Sequence, residues 1–539
     1  MGGIVCAISY MDHFTVTFKP DGKQISIHSG ALLLEAAGQA GIVLNTICGG
    51  KGTCGKCAVD IEPSGQRILA CQNRIRSDVT VTVPLESRFF EHKILSHGLS
   101  AKTDIRPTLY KTYRLKYHTR KIFGLAIDVG TTTVVAKLVD MTTGDCIATE
   151  ATLNPQTRFG DDVVSRITYA RTESGSADLH RVIIECINDL IDKLCRATGV
   201  ELKHIYEMCV VGNTTMNHLF LKFPVVQLGY APYRAFSVDS HDISPEELNL
   251  RMNAVGNVHT VENIAGFVGA DTTAGVLAVD IDSAEDVTLF VDIGTNGELV
   301  LNTKGQLYAA SCAAGPAFEG ARITCGSRAV EGAIEAVVLT ENDIDIDVIG
   351  NNPPHSICGS GLIDAVAVLL DLGVVDATGR FSTPQQLEKT LPSAILSRIF
   401  EKDRQMAFCL AYDQNNQPAV FLTQKDIREV QLAKAAIRAG IKILLQRNGL
   451  EDSDIKHILL AGAFGNYIRR ESALRIGLLP DIPVEGIRFF GNTAVAGAQI
   501  ILLSRQCRNK AKRLAHKIKY IEIAHEKDFQ AIFADSMLF

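Results

Sequence analysis

The chain has 539 residues, 46% of them apolar, which is enough for three or four domains with substantial cores. Its 54 basic and 60 acidic residues leave a net charge of −6, which excludes a wholly disordered chain and speaks against a general nucleic-acid binder. No run approaches the roughly 18 to 20 apolar residues of a membrane span, and the N-terminus lacks a basic segment followed by a long apolar one, so a cytoplasmic protein without membrane contact is expected.

Charge is unevenly placed. Residues 1–91 carry 8 basic and 8 acidic side chains, residues 92–121 carry 8 and 1, and the remainder carries 38 and 51. A neutral module, a basic linker and an acidic body are therefore expected. In the first module, FTVTFK (14–19) and QISIH (24–28) alternate as half-buried strands around the turn residues Pro20, Asp21 and Gly22. ALLLEAAGQAGI (31–42) reads as a helix, followed by a Gly-rich loop and the strand candidates CAVDIE and VTVTVP, an α+β pattern. The linker 92–121 has no sustained period and reads as extended chain, with a root-mean-square reach of roughly 30 Å, either solvated or docked on an acidic surface.

The acidic body repeats itself. FGLAIDVGTTTVVAKLVD (123–140) and TLFVDIGTNGELVLNT (288–303) each place Asp-x-Gly-Thr between two strands. VVGNTTM (210–216) and FFGNTAV (489–495) form a second pair, and together they predict a duplicated α/β fold with two hairpin turns facing a cleft. From residue 505, RQCRNKAKRLAHKIK carries seven basic and no acidic residues and reads as the solvated face of a terminal helix, with a partner site as the alternative.

Fourteen cysteines in a reducing compartment read as metal ligands or core residues rather than disulfides. Cys48, Cys54, Cys57 and Cys71 stand in C-x5-C-x2-C-x13-C spacing among Gly49, Gly50, Gly52 and Gly55. Four thiolates complete the ligand set of a 2Fe-2S cluster, and glycines let backbone N–H groups approach the sulfurs. A structural zinc site is the alternative, although zinc usually takes two short Cys knuckles and only one is present. The other ten cysteines form no C-x-x-C pair; Cys312, Cys325 and Cys358 lie in Gly-rich segments near the expected cleft. Hairpin, helix, glycine–cysteine loop and distal Cys together resemble a β-grasp ferredoxin domain.

The segments Asp128-Val129-Gly130-Thr131-Thr132-Thr133 and Asp292-Ile293-Gly294-Thr295-Asn296-Gly297 supply turn N–H groups, hydroxyls and a carboxylate able to hold hydrated Mg2+, which are the requirements of a polyphosphate. Gly359, Ser360 and Gly361 open an apolar helix pattern, suiting either an anion at the helix N-terminus or tight helix packing. The order of phosphate loop, Gly-Asn-Thr, phosphate loop, ILLAGAFGN (458–466) and Gly-Asn-Thr is similar to that of the superfamily joining acetate and sugar kinases, heat-shock chaperones and actin. That resemblance implies a two-lobed ATPase over 122–505, a C-terminal extension over 506–539, adenosine held by Gly462, Ala463, Phe464 and Gly465, and interlobe helices after Gly212 and Gly491. It also makes Asp271 the candidate for activating water, against the alternative of a helix cap, with Glu298 and Glu319 as weaker candidates.

The full layout, with GPAFEG (315–320) and CGSGLID added, resembles the reductive activators of corrinoid enzymes. The resemblance implies ATP-driven return of cobalt(II) to cobalt(I) in a corrinoid protein of a methyltransferase system, with electrons from a low-potential donor such as ferredoxin or flavodoxin. A plant-type cluster lies near −400 mV, and each ~59 mV uphill costs about 1.4 kcal/mol for one electron, so lobe closure on ATP would supply the drive. Family members can carry a further domain between ferredoxin and ATPase, where this chain has only the linker, which leaves partner docking and a homodimer as open expectations. A metabolite kinase with a regulatory cluster, an activator of radical dehydratases and an actin-like or chaperone-like binding module are the alternatives.

Overall fold

The structure, a computed structural model, describes residues 12–44, 46, 52–84, 87–88, 121–462 and 468–539. Nearly all of the basic linker, as well as Cys48, Ala463, Phe464 and Gly465, lies outside the described residues.

The N-terminal module is a five-stranded sheet with one helix. Strands β1 (His13–Lys19) and β2 (Lys23–His28) form the expected hairpin, with Gly22 supplying the positive φ of the turn, and helix α1 (Leu33–Gln39) follows. Strands β3 (Ala58–Glu62), β4 (Gln66–Leu69) and β5 (Val79–Thr82) complete the order β2-β1-β5-β3-β4, with β1 and β5 parallel. The β4 strand is four residues long and has no fully buried position, so its pattern carries no hydrophobic alternation to read. Val16, Phe18, Ile27, Leu33, Ala36 and Ala37 close the core between sheet and helix.

The first lobe runs through β6 (Phe123–Val129), β7 (Thr133–Asp140), β8 (Cys146–Leu153), helix α2 (Glu173–Thr198), β9 (Ile205–Gly212), helix α3 (Thr214–Phe220), β10 (His241–Ile243), β11 (Asn257–Thr260) and helix α4 (Ala270–Val279). Thr172 caps α2 by accepting a hydrogen bond from the N–H of Gly175, and Gly199 ends it in the left-handed region. Its buried stripe of Leu179, Ile183, Ile187, Leu190 and Leu194 follows helical spacing and packs into the lobe core. Each such side chain contributes about 1.5–3 kcal/mol by leaving water.

The second lobe contains β12 (Thr288–Ile293), β13 (Gly297–Thr303), β14 (Gln306–Cys312), β15 (Ala333–Leu339), β16 (Ile344–Val348), β17 (Ser356–Ile357) and helix α5 (Gly359–Asp371). A three-stranded sheet of β18 (Ile399–Lys402), β19 (Gln405–Tyr412) and β20 (Pro418–Thr423) leads into helix α6 (Gln424–Arg447), β21 (His457–Ala461), β22 (Ile487–Phe489) and helix α7 (Thr493–Leu503). Helix α8 (Arg505–Lys517) and β23 (Lys519–Tyr520) follow.

The duplication is explicit in the sheets. Their orders, β10-β11-β9-β6-β7-β8 and β22-β21-β12-β13-β14-β23, share the core β11-β9-β6-β7-β8 against β22-β21-β12-β13-β14, with the same parallel and antiparallel pairings. This corrects the pairing of the two Gly-Asn-Thr segments. Gly212 ends β9, whose counterpart is β21, whereas Gly491 follows β22, whose counterpart is β11. The two segments look alike because Asn213 and Asn492 each cap a helix, accepting from the N–H groups of Met216 and Val495 at 3.0 Å. Helix α3 belongs to the core of the first lobe, and the helix that meets α7 between the lobes is α4, entered through Gly269.

The C-terminal segment is woven into both lobes. Cys507, Ala511, Leu514 and Ala515 bury one face of α8, Arg508 pairs with Glu207 at 2.9 Å, and Lys510 pairs with Asp280 and Asp282. Two of the seven basic residues thus hold the helix down rather than face solvent alone. The strand β23 then joins the second-lobe sheet in parallel with β14.

Candidate functional site

In the N-terminal module, Cys57 and Cys71 are buried and Cys54 is partly exposed, with Gly52 and Gly55 at positive φ in the loop that carries them. Lys56 N–H points at Cys54 Sγ at 3.5 Å and Gln72 Nε2 at Cys71 Sγ at 3.6 Å. Burial, with the neighbouring Cys71 and Cys54 thiols, pushes Cys57 up to about 12, so a bound cation would favour it as a thiolate. The donor set fits an iron–sulfur cluster: soft thiols, amide N–H groups at sulfur and glycines that allow close backbone approach. Among the described residues the three thiols do not stand as a closed ligand group, and the fourth, Cys48, lies outside them.

The two Asp-x-Gly-Thr turns face each other across a cleft of about 340 Å³ between the lobes, within the range of small-ligand sites. In each, the glycine N–H closes the turn, from Gly130 to the carbonyl of Thr133 at 3.0 Å and from Gly294 to that of Asn296 at 2.9 Å. Thr131, Thr132, Thr133, Thr295 and Asn296 line the cleft with their donors. Gly462, at φ +94°, also lines it; a Cβ there would lie 2.6 Å from Asp292 Oδ1. Gly359 and Ser360 reach the wall at the start of α5, whereas Gly361 faces the carbonyl of Ile334, where a Cβ would lie at 2.4 Å. Cleft-lining and packing positions are therefore divided among these three residues.

Four carboxylates stand at the cleft floor. Asp128, Asp271, Asp292 and Glu298 keep some surface toward the cleft but are otherwise enclosed by protein. Burial holds Asp128 at about 7 and Asp292 at about 8, with neighbouring carboxylates adding to it, and Asp271 at about 6; Glu298 is pushed well above its usual range for the same reasons. Asn492 donates to Asp128 Oδ2 at 2.9 Å, which ties the start of α7 to the first-lobe loop. Asp271 sits in the first turn of α4, where its Oδ1 accepts from the N–H of Thr272 at 2.7 Å; Gly269, not Asp271, occupies the cap position. Among the described residues no three acids form a metal cage, which Mg2+ held through waters and phosphate oxygens does not need.

Further residues shape the site, and two of them, Asn154 and Arg166, fall in none of the motifs. Asn154 Nδ2 donates to the carbonyl of Gly130 at 2.8 Å and Arg166 to that of Thr131 at 2.6 Å, bracing the first loop from behind. Asn213 Nδ2 donates to Thr131 Oγ1 at 2.9 Å. Glu319 accepts from Thr132 Oγ1 at 3.0 Å and from Thr295 Oγ1, so it touches both Asp-x-Gly-Thr loops. Glu335 lines the cleft wall near Cys358, and burial, then Asp347, raises it to about 7. Asp347, on the adjacent strand β16, accepts hydrogen bonds from His13 and His28 of the N-terminal module, the latter at 3.3 Å. The module thereby rests on the second lobe.

Comparison with known proteins follows this division. The 2Fe-2S iron-sulfur cluster binding domain family matches residues 16–76, the RACo middle region matches 123–284, and the C-terminal ASKHA domain of RACo matches 286–539. The family's middle region thus coincides with the first lobe. The corrinoid activation enzyme RamQ of Eubacterium limosum is 32% identical, over 96% of this chain and 98% of its own. The [Co(II) methylated amine-specific corrinoid protein] reductase of Methanosarcina barkeri is 25% identical over 74% of this chain and 73% of its own. A solved structure, the reductive activator for corrinoid,iron-sulfur protein, superposes with a TM-score of 0.71 at 32% identity, covering 98% of both chains. Among the described residues no helix is long and apolar enough to cross a membrane. With its iron–sulfur domain, its two-lobed ATPase fold and relatives that match end to end, the chain belongs to the family of reductive activators of corrinoid proteins.

Proposed function

We propose that the chain spends ATP to return the cobalt of a corrinoid protein from cobalt(II) to cobalt(I). One electron enters from a low-potential donor of the ferredoxin or flavodoxin class and one leaves to cobalt; ATP and water give ADP and phosphate. When bound, a 2Fe-2S cluster held by Cys48, Cys54, Cys57 and Cys71 would supply a one-electron store near −400 mV. The observation that carries the reading is the joining of a cysteine-rich ferredoxin module to a cleft whose two facing Asp-x-Gly-Thr loops lie on separate lobes.

The roles at the cleft follow from chemistry. Gly130, Thr131, Thr132, Thr133, Gly294, Thr295 and Asn296 would donate to the phosphates, while Gly359 and Ser360 line the wall and Gly462 with the segment 463–465 would border the adenosine. Asp128 and Asp292, crowded together and raised by burial, would hold hydrated Mg2+ with phosphate oxygens, which relieves their mutual repulsion. Asp271 would accept the proton of the attacking water, its raised value of about 6 suiting a base near neutrality. Closure of the lobes on ATP changes what the corrinoid protein meets, and differential binding of the two lobe arrangements is the source of the drive.

The test is phosphate accounting. ATP should yield inorganic phosphate, faster when a cobalt(II) corrinoid protein is added, with no phosphorylated small molecule formed; a phosphorylated metabolite would support the kinase alternative.

A further inference from the structure

Glu319 ends the turn Pro316–Glu319 on the second lobe, and two features aim it. The N–H of Gly315 donates to the carbonyl of Thr295 at 2.9 Å, fixing the turn to the second phosphate loop. Gly320, at φ +81°, lies so close to Ser327 that a Cβ would fall 2.1 Å from its carbonyl oxygen, fixing the turn to the cleft wall. From this anchored position the carboxylate accepts from Thr132 Oγ1 of the first lobe at 3.0 Å through one oxygen and from Thr295 Oγ1 of the second through the other.

One anionic group thus takes a hydroxyl from each of two facing phosphate loops. A terminal phosphate entering between the loops needs the same donors, because each hydroxyl has a single proton to give. It also carries negative charge and could not settle beside an ionised carboxylate at hydrogen-bond range in a site lined by five other acids. Carboxylate and phosphate are therefore alternatives at these hydroxyls.

We propose that Glu319 is a built-in stand-in for the terminal phosphate of ATP: a positioning residue that occupies the Thr132–Thr295 donor pair and is displaced by a γ-phosphate but not by ADP, which has none. This rests on the reading of the cleft as an ATP site. Its consequence is that Glu319 opposes ATP more than ADP, and that its return to the two hydroxyls favours the product state after cleavage.

The experiment is calorimetric titration of the full chain with ADP and with a non-hydrolysable ATP analogue, for wild type, Glu319→Gln and Glu319→Ala. Loss of a charged competitor for two hydrogen bonds should tighten the analogue roughly tenfold in Glu319→Ala, with a smaller gain in Glu319→Gln, while ADP affinity changes less than about twofold. A merely structural role would weaken both ligands together, so equal or lower affinity for the analogue in both variants overturns the inference while leaving the ATP site intact. A wild-type chain that binds neither nucleotide overturns the site reading and this inference together.

Discussion

Gly497 of α7 lies against Ala274 of α4 so closely that a Cβ on the glycine would fall 2.1 Å from the alanine carbonyl oxygen. Nearby, a Cβ on Gly275 would fall 2.8 Å from Thr493 Oγ1. The two helices that join the lobes therefore cross at backbone contact, and a side chain cannot be added without moving one lobe against the other. Gly497→Ala should destabilise the chain by about 1–3 kcal/mol and lower its thermal unfolding midpoint. It should also weaken nucleotide binding, because the turn residues Asn492 and Asp128 are joined at the head of the same helix. An unchanged midpoint would contradict the crossing.

Asp271→Asn keeps the size and the hydrogen bond from Thr272 but removes the basic oxygen. Hydrolysis should fall by about 10²–10⁴-fold with nucleotide affinity nearly unchanged. Single-turnover phosphate release, measured beside equilibrium binding, separates the two, and full turnover in the variant would dismiss Asp271 as the base.

The raised carboxyls at the cleft floor give a signed pH dependence. Between the ordinary carboxylate range near 4 and their values of about 6, 7 and 8, Asp271, Asp128 and Asp292 hold protons in the folded chain that the unfolded chain has released. Stability in the absence of ligand should therefore fall as pH rises through this window. Mg2+ with ATP favours the ionised forms, so binding should release protons and tighten from pH 6 to 8. Calorimetry in buffers of different ionisation enthalpy reads this directly, and heats independent of the buffer would contradict it.

Arg508 on α8 reaches Glu207, a nearly buried residue of β9. Arg508→Ala removes the cation from that carboxylate and should cost up to about 3 kcal/mol. The loss should show as earlier chemical unfolding, with the C-terminal helix exchanging its amide hydrogens first. Wild-type stability would make the helix a passive appendage.

Asp347 carries the contact between the N-terminal module and the second lobe. Burial works against its ionisation, but the hydrogen bonds from His13 and His28 outweigh it and hold the carboxyl below its usual range. Asp347→Asn removes the charge that both rings share. Amide hydrogen exchange across β1 and β2 should then accelerate while α1 stays protected, and identical exchange in both strands would show that the module is held elsewhere.

Much of this architecture is legible in the chain. The Asp-x-Gly-Thr hairpins are local, so strand, turn and strand are all contained in about 18 residues, and both fold as read. The Gly-Asn-Thr segments mislead because an Asn cap before a helix is a local device that recurs wherever a helix starts, whereas repeat equivalence is set by which strand each segment follows. Arg166 and Asn154 are invisible for a different reason. They act on Thr131 and Gly130 from 35 and 24 residues away, and a lone Arg in the short helix Val163–Tyr169 reads as a surface residue until the fold buries it completely. Glu335 and Asp347 become neighbours only through the antiparallel pairing of β15 and β16.

The most direct measurement mixes the full chain, reduced at its iron–sulfur site, with a corrinoid protein in the cobalt(II) state and follows cobalt(I) absorbance with and without ATP. The account predicts that cobalt(I) accumulates only when ATP is present and that phosphate appears alongside it. Accumulation at the same rate without ATP, or phosphate release with no cobalt(I), would contradict the coupling of nucleotide to electron transfer.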